Sequence, residues 1–267
     1  MSEEKVSRES IVLAIVNALE PLEYVYALWE GGAVAFGRLD RWSDIDICVD
    51  ADDEKVEDVF PVAEAALETL APIEIKYEVP PGATHGYVQA FYRLKGTAEF
   101  LLVDFAVFKH SEPNKLLEPE IHGYSRFHFN KREAVRVPSL DRGAFIDRMK
   151  SGMERLVLRF DTFSCFVDKE INRGNWIEAM DLYHRIILGS LVQGLRMRYY
   201  PVHYDFGTRY IHYELPPEVV KRLLDLHFVC DREDLLRKVK DARRWFHRTV
   251  DEIDTGDLEQ HLSSPRH

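Results

Sequence analysis

At 267 residues the chain exceeds a typical single domain and suits two modest ones, each large enough for its own core. Its formal net charge of −11 sits almost entirely in residues 1–138, which hold 14 Lys and Arg against 25 Asp and Glu, while residues 139–267 hold 21 against 21. So acidic a half argues against a long nucleic-acid partner, whose phosphates need basic residues, and with no apolar run of about eighteen residues a membrane span is not expected either.

The first elements read clearly. Ser7–Leu22 places Ile11, Ala14, Ile15 and Ala18 at helical recurrence, with Ser7 as cap and Ser10 nearby. Residues 1–10 are acidic and polar, and the apolar run Ile11–Leu19 is broken by Asn17 and followed by Glu20, so nothing resembles a secretory signal and a cytoplasmic protein is expected. Tyr24–Trp29 is a predicted strand. Gly31-Gly32 turns the chain, and a second strand carries Asp44, Asp46 and Cys48. Asp53–Leu70 presents Val56, Val59, Phe60, Ala63, Ala66, Leu67 and Leu70 on one helical face, capped by Asp52 or Asp53. Ile73–Val79 alternates apolar and charged residues as a half-exposed strand does. Pro80-Pro81-Gly82 ends it. Tyr87–Leu94 then forms a hairpin, through Lys95-Gly96-Thr97, with the apolar run Phe100–Phe108, long enough for a central strand.

Residues 109–138 are rich in Pro, His, Asn and charge. The spacings of His110, His122 and His128 match no zinc motif, and a mobile segment between domains is expected. From Leu140 onward the pattern is helical, over Asp141–Asn172, Trp176–Tyr199, Glu218–Cys230 and Asp231–Ile253, and short connections favour antiparallel neighbours. Residues 255–267 read as a loose tail. Cys48, Cys165 and Cys230 are too far apart for a C-x-x-C pair and read as reduced thiols. Asn and Gln together number eight among abundant charge, a pattern that predicts a thermophilic source.

The chemistry concentrates between residues 28 and 50. On a strand, Asp44 and Asp46 project from one side about 7 Å apart. Two carboxylates so placed repel one another unless a cation lies between them, and magnesium favours such hard oxygen ligands together with substrate phosphates. Glycines at 31 and 32 let backbone amides approach an anion closely. Asp104, an acid within an apolar strand, is expensive to bury unless paired or metal-bound, with Arg93 as the alternative partner to a metal.

Gly31-Gly32, eleven intervening residues, then Ser43-Asp44-Ile45-Asp46 resembles the motif of the nucleotidyltransferase superfamily that includes DNA polymerase beta, closest to its aminoglycoside and lincosamide branch. Gly32 stands where many members carry Ser, and Glu30 where the family prefers an apolar residue. The resemblance implies an α/β (α+β) catalytic core with a mixed sheet over residues 1–138 and an all-helical domain over 139–267. It implies transfer of a nucleoside monophosphate, AMP from ATP, to a hydroxyl of a small molecule, with pyrophosphate released. Asp44, Asp46 and Asp104 would hold one or two magnesium ions, and Asp104 is the candidate general base, with Glu99, Glu170 and Glu178 as rivals. Gly31, Gly32 and Ser43 would cradle the phosphates of the nucleoside triphosphate, with Arg38, Arg41 and Arg185 supplying charge. Asp181, His184, Arg185 and Leu188 form a polar stripe on their helix, with Arg196, Arg198, Tyr199 and Tyr200 clustered at its end. Such helices in the relatives close over the nucleotide; solvated arginines and a core tyrosine pair are the alternative. A homodimer is expected by the same likeness. A protein hydroxyl as acceptor, as in toxin and antitoxin pairs, and a catalytically silent nucleotide-binding module are the alternatives.

Overall fold

The computed structural model describes residues 6–83 and 86–253, and its contacts divide into two units, Met1–Leu140 and Asp141–His267. The first unit opens with α1 (Arg8–Leu19), started by a reciprocal cap in which the Ser10 amide donates to Ser7 Oγ at 3.2 Å and the Ser7 amide to Ser10 Oγ at 3.0 Å. Then follow β1 (Val25–Glu30), the short α2 (Gly32–Ala35), β2 (Ile45–Ala51), α3 (Val56–Glu68), β3 (Ile73–Glu78), β4 (Tyr87–Leu94) and β5 (Val103–Lys109). The expected caps of α3 act elsewhere. Lys55 leads that helix without a side-chain cap, Asp52 accepts from the Glu54 amide, and Asp53 accepts from the amide and hydroxyl of Ser111.

Among the described residues six strands form one mixed sheet in the order β3-β4-β5-β2-β1-β6, the last being β6 (Arg126–Asn130). β2 and β5 are parallel and central, and the other neighbours are antiparallel. Because side chains alternate, each strand serves two environments. One face turns Ile45, Ile47 and Val49 from β2 and Val103, Phe105 and Val107 from β5 toward α1 and α3, whose Ile11, Ile15, Val59, Ala63 and Leu67 complete the main core. The opposite face carries Asp46, Cys48, Asp104 and Ala106, and toward one end a smaller cluster of Ala27, Trp29, Phe108, Leu117 and Val135.

Residues 109–138 depart from the expectation of a mobile connector. They contain α4 (Pro119–His122) and β6 (Arg126–Asn130), which pairs with β1 at the sheet edge. Asn130 clamps the backbone of Val135 in both directions, and Lys131 donates to the carbonyls of Leu22 and Val25. These bonds satisfy buried polar backbone, which fixes the segment. Its three histidines go to separate carboxylates: His110 to Asp50, His122 to Glu118 and His128 to Glu30.

The second unit is helical among the described residues. It comprises α5 (Arg142–Phe163), α6 (Cys165–Arg173), α7 (Trp176–Leu182), α8 (Gly189–Tyr199), α9 (Ile211–Glu214), α10 (Pro217–His227) and α11 (Arg232–Asp251). The predicted helix 141–172 breaks at Ser164 and ends at Gly174 in the left-handed conformation. The predicted helix 176–199 is present as α7 and α8 joined by a π-helical stretch, Tyr183–Leu188. Phe160 stacks on Phe246 at 3.8 Å in its core. The expected tail at 255–267 lies outside the described residues. No helix among those described is long and apolar enough to cross a membrane.

Candidate active site

The parallel pairing of β2 with β5 sets Asp46 directly opposite Asp104. Neighbouring strands lie about 4.8 Å apart, so opposed side chains on one face stand within reach of a common ligand. Both acids are half-buried. Asp44 sits on the same parity one step upstream, in the loop just before β2 rather than on the strand as expected, and it is half-buried too. The Ile45 amide donates to the Leu102 carbonyl at 2.8 Å, which keeps the two acid-bearing segments aligned where they enter the sheet.

The glycine turn meets these acids from β1. The Gly31 amide donates to the Asp46 carbonyl at 3.0 Å, so this N–H ties the turn to β2 instead of facing a phosphate, as the sequence had suggested. Gly32 has φ +53, and a Cβ there would lie 1.8 Å from Asp46 Oδ2. The Asp46 carboxylate therefore rests on bare backbone. That contact gives a physical reason for glycine at 32, since a side chain would displace the carboxylate and strain a left-handed residue.

On the far side of Asp104, the Gln89 side-chain amide of β4 donates to Oδ1 at 2.6 Å and fixes the carboxylate's orientation. Arg93, the sequence alternative for this acid, bonds to Glu74 instead. Cys48, one step below Asp46, has its thiol pKa pushed up by burial and then by the charges of Asp104 and Asp46. Burial, followed by Asp104, raises Tyr87 as well. Both shifts register the negative charge that collects on this face.

The loop from 37 to 44 frames the site. Ser43 Oγ accepts from the Asp40 amide and donates to Asp40 Oδ1, each at 3.0 Å, so the hydroxyl shapes the turn that delivers Asp44. Arg38 is half-buried over the Phe36 ring at 5.2 Å, and Arg41 covers the Trp42 ring at 4.4 Å. Trp42 meets Phe100 edge-on at 4.9 Å, both about half exposed.

The remaining candidates have the following surroundings. In the second unit Arg185 pairs with Asp181 at 2.9 Å on the surface, His184 faces the Met180 and His227 carbonyls, and Leu188 is core. Arg196 is fully buried and donates to Glu214 at 2.6 Å and to the carbonyls of Gly207 and Arg209, while Arg198 pairs with Glu252. The buried Arg196 ties α8 to the segment around α9. Glu170 accepts from Asn175 and Arg173, and Glu99 and Glu178 are exposed. Gln89 and Arg8 were not singled out from sequence, and Glu30 and His128 were noted there without being linked to each other; β4 parity alone could have placed Gln89 beside Asp104.

Among the described residues no cluster of three or more His, Cys, Asp or Glu forms a ready metal cage. The donor set is a paired Asp46 and Asp104 with Asp44 adjacent, hard oxygens of the kind magnesium takes alongside water and phosphate oxygens.

No family model matches the chain, and no curated protein does. Among solved structures it is similar to a spectinomycin adenyltransferase, AAD(9) from Enterococcus faecialis, solved with ATP and spectinomycin, at 11% identity, 97% of this chain, 100% of that one and a TM-score of 0.34. It is also similar to a STING-associated CdnE c-di-GMP synthase from Capnocytophaga granulosa, at 13% identity, 94% of this chain, 85% of that one and a TM-score of 0.29.

Proposed function

We propose that the protein is a nucleotidyltransferase that moves AMP from ATP to a hydroxyl of a small molecule and releases pyrophosphate. The observation that carries this reading is the in-register opposition of Asp46 and Asp104 on parallel central strands, with Gly32 backbone against one acid and Gln89 holding the other. Like charges opposed at such a position are destabilising, and the fold keeps them together on the face opposite α1 and α3.

Asp44, Asp46 and Asp104 are the residues that would hold magnesium, which when bound supplies charge stabilisation to the phosphates of the triphosphate. Asp104 takes the proton of the attacking acceptor hydroxyl, a role that needs it within about 3 Å of that oxygen. Gln89 keeps the Asp104 carboxylate from rotating away. Arg38 and Arg41, on the loop that leads to Asp44, supply positive charge to the phosphate tail. The acidic balance of the first unit suits a cationic, hydroxylated acceptor.

The test is calorimetry with magnesium and a nonhydrolysable ATP analogue, run beside pyrophosphate release over a panel of hydroxylated amines. The proposal expects magnesium-dependent binding and release with at least one acceptor, both lost in Asp104→Asn. Binding without release across small-molecule and protein acceptors would favour a silent module, and an Asp104→Asn protein with unchanged turnover would overturn the mechanism.

A further inference from the structure

Glu30 departs from the family pattern, and its surroundings give the departure a use. It is the last residue of β1 and its side chain is 3% exposed. A carboxylate so buried needs a counter-charge and hydrogen-bond partners. Arg8 of α1 supplies the charge at 2.9 Å from Oε2, and His128 of β6 lies 2.8 Å from Oε1. The same Arg8 turns its other guanidinium nitrogen to the backbone carbonyl of Asp44, at 2.5 Å.

The topology explains why that carbonyl needs an outside donor. β1 and β2 pair up to Glu30 and Ile47, and the Gly31 amide makes the last crossing, to the Asp46 carbonyl. Beyond Gly31 the chain leaves the sheet for α2, so β1 offers no further amide to the segment that enters β2. Arg8 stands where that donor would be. A guanidinium can do so because its nitrogens are fixed in one plane, one directed at Glu30 and one at Asp44, whereas a lysine ammonium has no such fork.

Buried ion pairs add little net stability, because desolvation offsets their attraction. What Glu30 and His128 provide is orientation. We propose that Arg8, held by Glu30 and His128, is a positioning residue for the metal-nucleotide site: it fixes the backbone of Asp44 so that the carboxylate joins those of Asp46 and Asp104. This inference rests on the reading of the three acids given above. Arg8 acts through Asp44 and touches no substrate.

The experiment is a double-mutant cycle on the full chain, read by calorimetric affinity for magnesium with a nonhydrolysable ATP analogue, with circular dichroism and thermal midpoint as checks on folding. Arg8→Lys is expected to weaken binding about 10–100-fold, the range for residues that orient metal ligands. In an Asp44→Asn background the same change should cost nothing more, since the group it positions is already lost. Glu30→Gln, which keeps side-chain volume, should follow the same pattern at smaller amplitude, and it carries the comparison if Arg8→Lys does not fold. Wild-type affinity in folded Arg8→Lys and Glu30→Gln, or an equal loss in both backgrounds, overturns the proposal. If Asp44→Asn, Asp46→Asn and Asp104→Asn all bind as wild type does, the reading of the site falls and takes the clamp with it. If those three lose binding and the Arg8 and Glu30 variants do not, only the clamp falls.

Discussion

The two faces of the sheet in the first unit divide the work of the fold between them. Toward α1 and α3, the side chains of β2 and β5 are apolar and fully buried, and they build the main core. One residue over, on the same strands, Asp46 and Asp104 share a half-buried position where like charges oppose folding. The difference teaches that stability and chemistry are separable here at single-residue spacing. Substitutions can be chosen that move one and leave the other.

The largest expected effect is on the covered face. Phe105 is fully buried, edge-on to Phe60 at 5.5 Å, and Phe105→Ala should lower unfolding free energy by about 3–5 kcal/mol, measured by urea denaturation. On the acid face the signs separate. Asp46→Asn should reduce turnover on the order of 10²–10³-fold, roughly 3–4 kcal/mol, while the thermal midpoint holds or rises because a like-charge pair is relieved. A midpoint that fell as far as in Phe105→Ala would erase the contrast between the faces.

Gly32→Ala probes the seam between them. A left-handed alanine costs about 1–2 kcal/mol, and its Cβ would push the Asp46 carboxylate aside, so affinity for the magnesium and ATP-analogue pair should drop more than stability does. The smallest effect concerns Cys48. Its raised pKa keeps the thiol protonated, so iodoacetamide should modify exposed Cys165 and Cys230 well before Cys48. The sign for stability follows: above the ordinary thiol pKa of about 8.5 the unfolded chain releases this proton and the folded chain retains it, so stability falls with rising pH. Cys48→Ala should flatten that decline between pH 8 and 10, as read by thermal midpoints across about that range.

Much of this fold is legible in the sequence itself. Helical and strand periodicity located α1, β1, β2, α3, β3, β4, β5 and the long helices of the second unit, because each buries one face and shows it in the spacing of its apolar residues. β6 was missed. Arg126–Asn130 is a short edge strand embedded in histidine and charge, and what fixes it is pairing with β1, a contact across about a hundred residues that no local pattern reports. The cap of α3 was misplaced for a related reason, since Ser111 of a distant loop engages Asp53. Of the site, the glycines and acids were visible as a motif. The partners of Glu30 were not, because a buried carboxylate is satisfied by side chains that the chain brings from α1 and β6.

The parallel alignment of β2 with β5 has a further consequence. Moving β5 by a single residue would turn Asp104 inward toward the main core and expose Val103, Phe105 and Val107 to water, and moving β2 would do the same to Asp46 and to Ile45, Ile47 and Val49. Hydrophobic burial on one side thus acts as a proofreader for carboxylate geometry on the other. A chain that mispairs its acids has also forfeited its core, so misaligned copies unfold instead of persisting as well-folded but inactive protein.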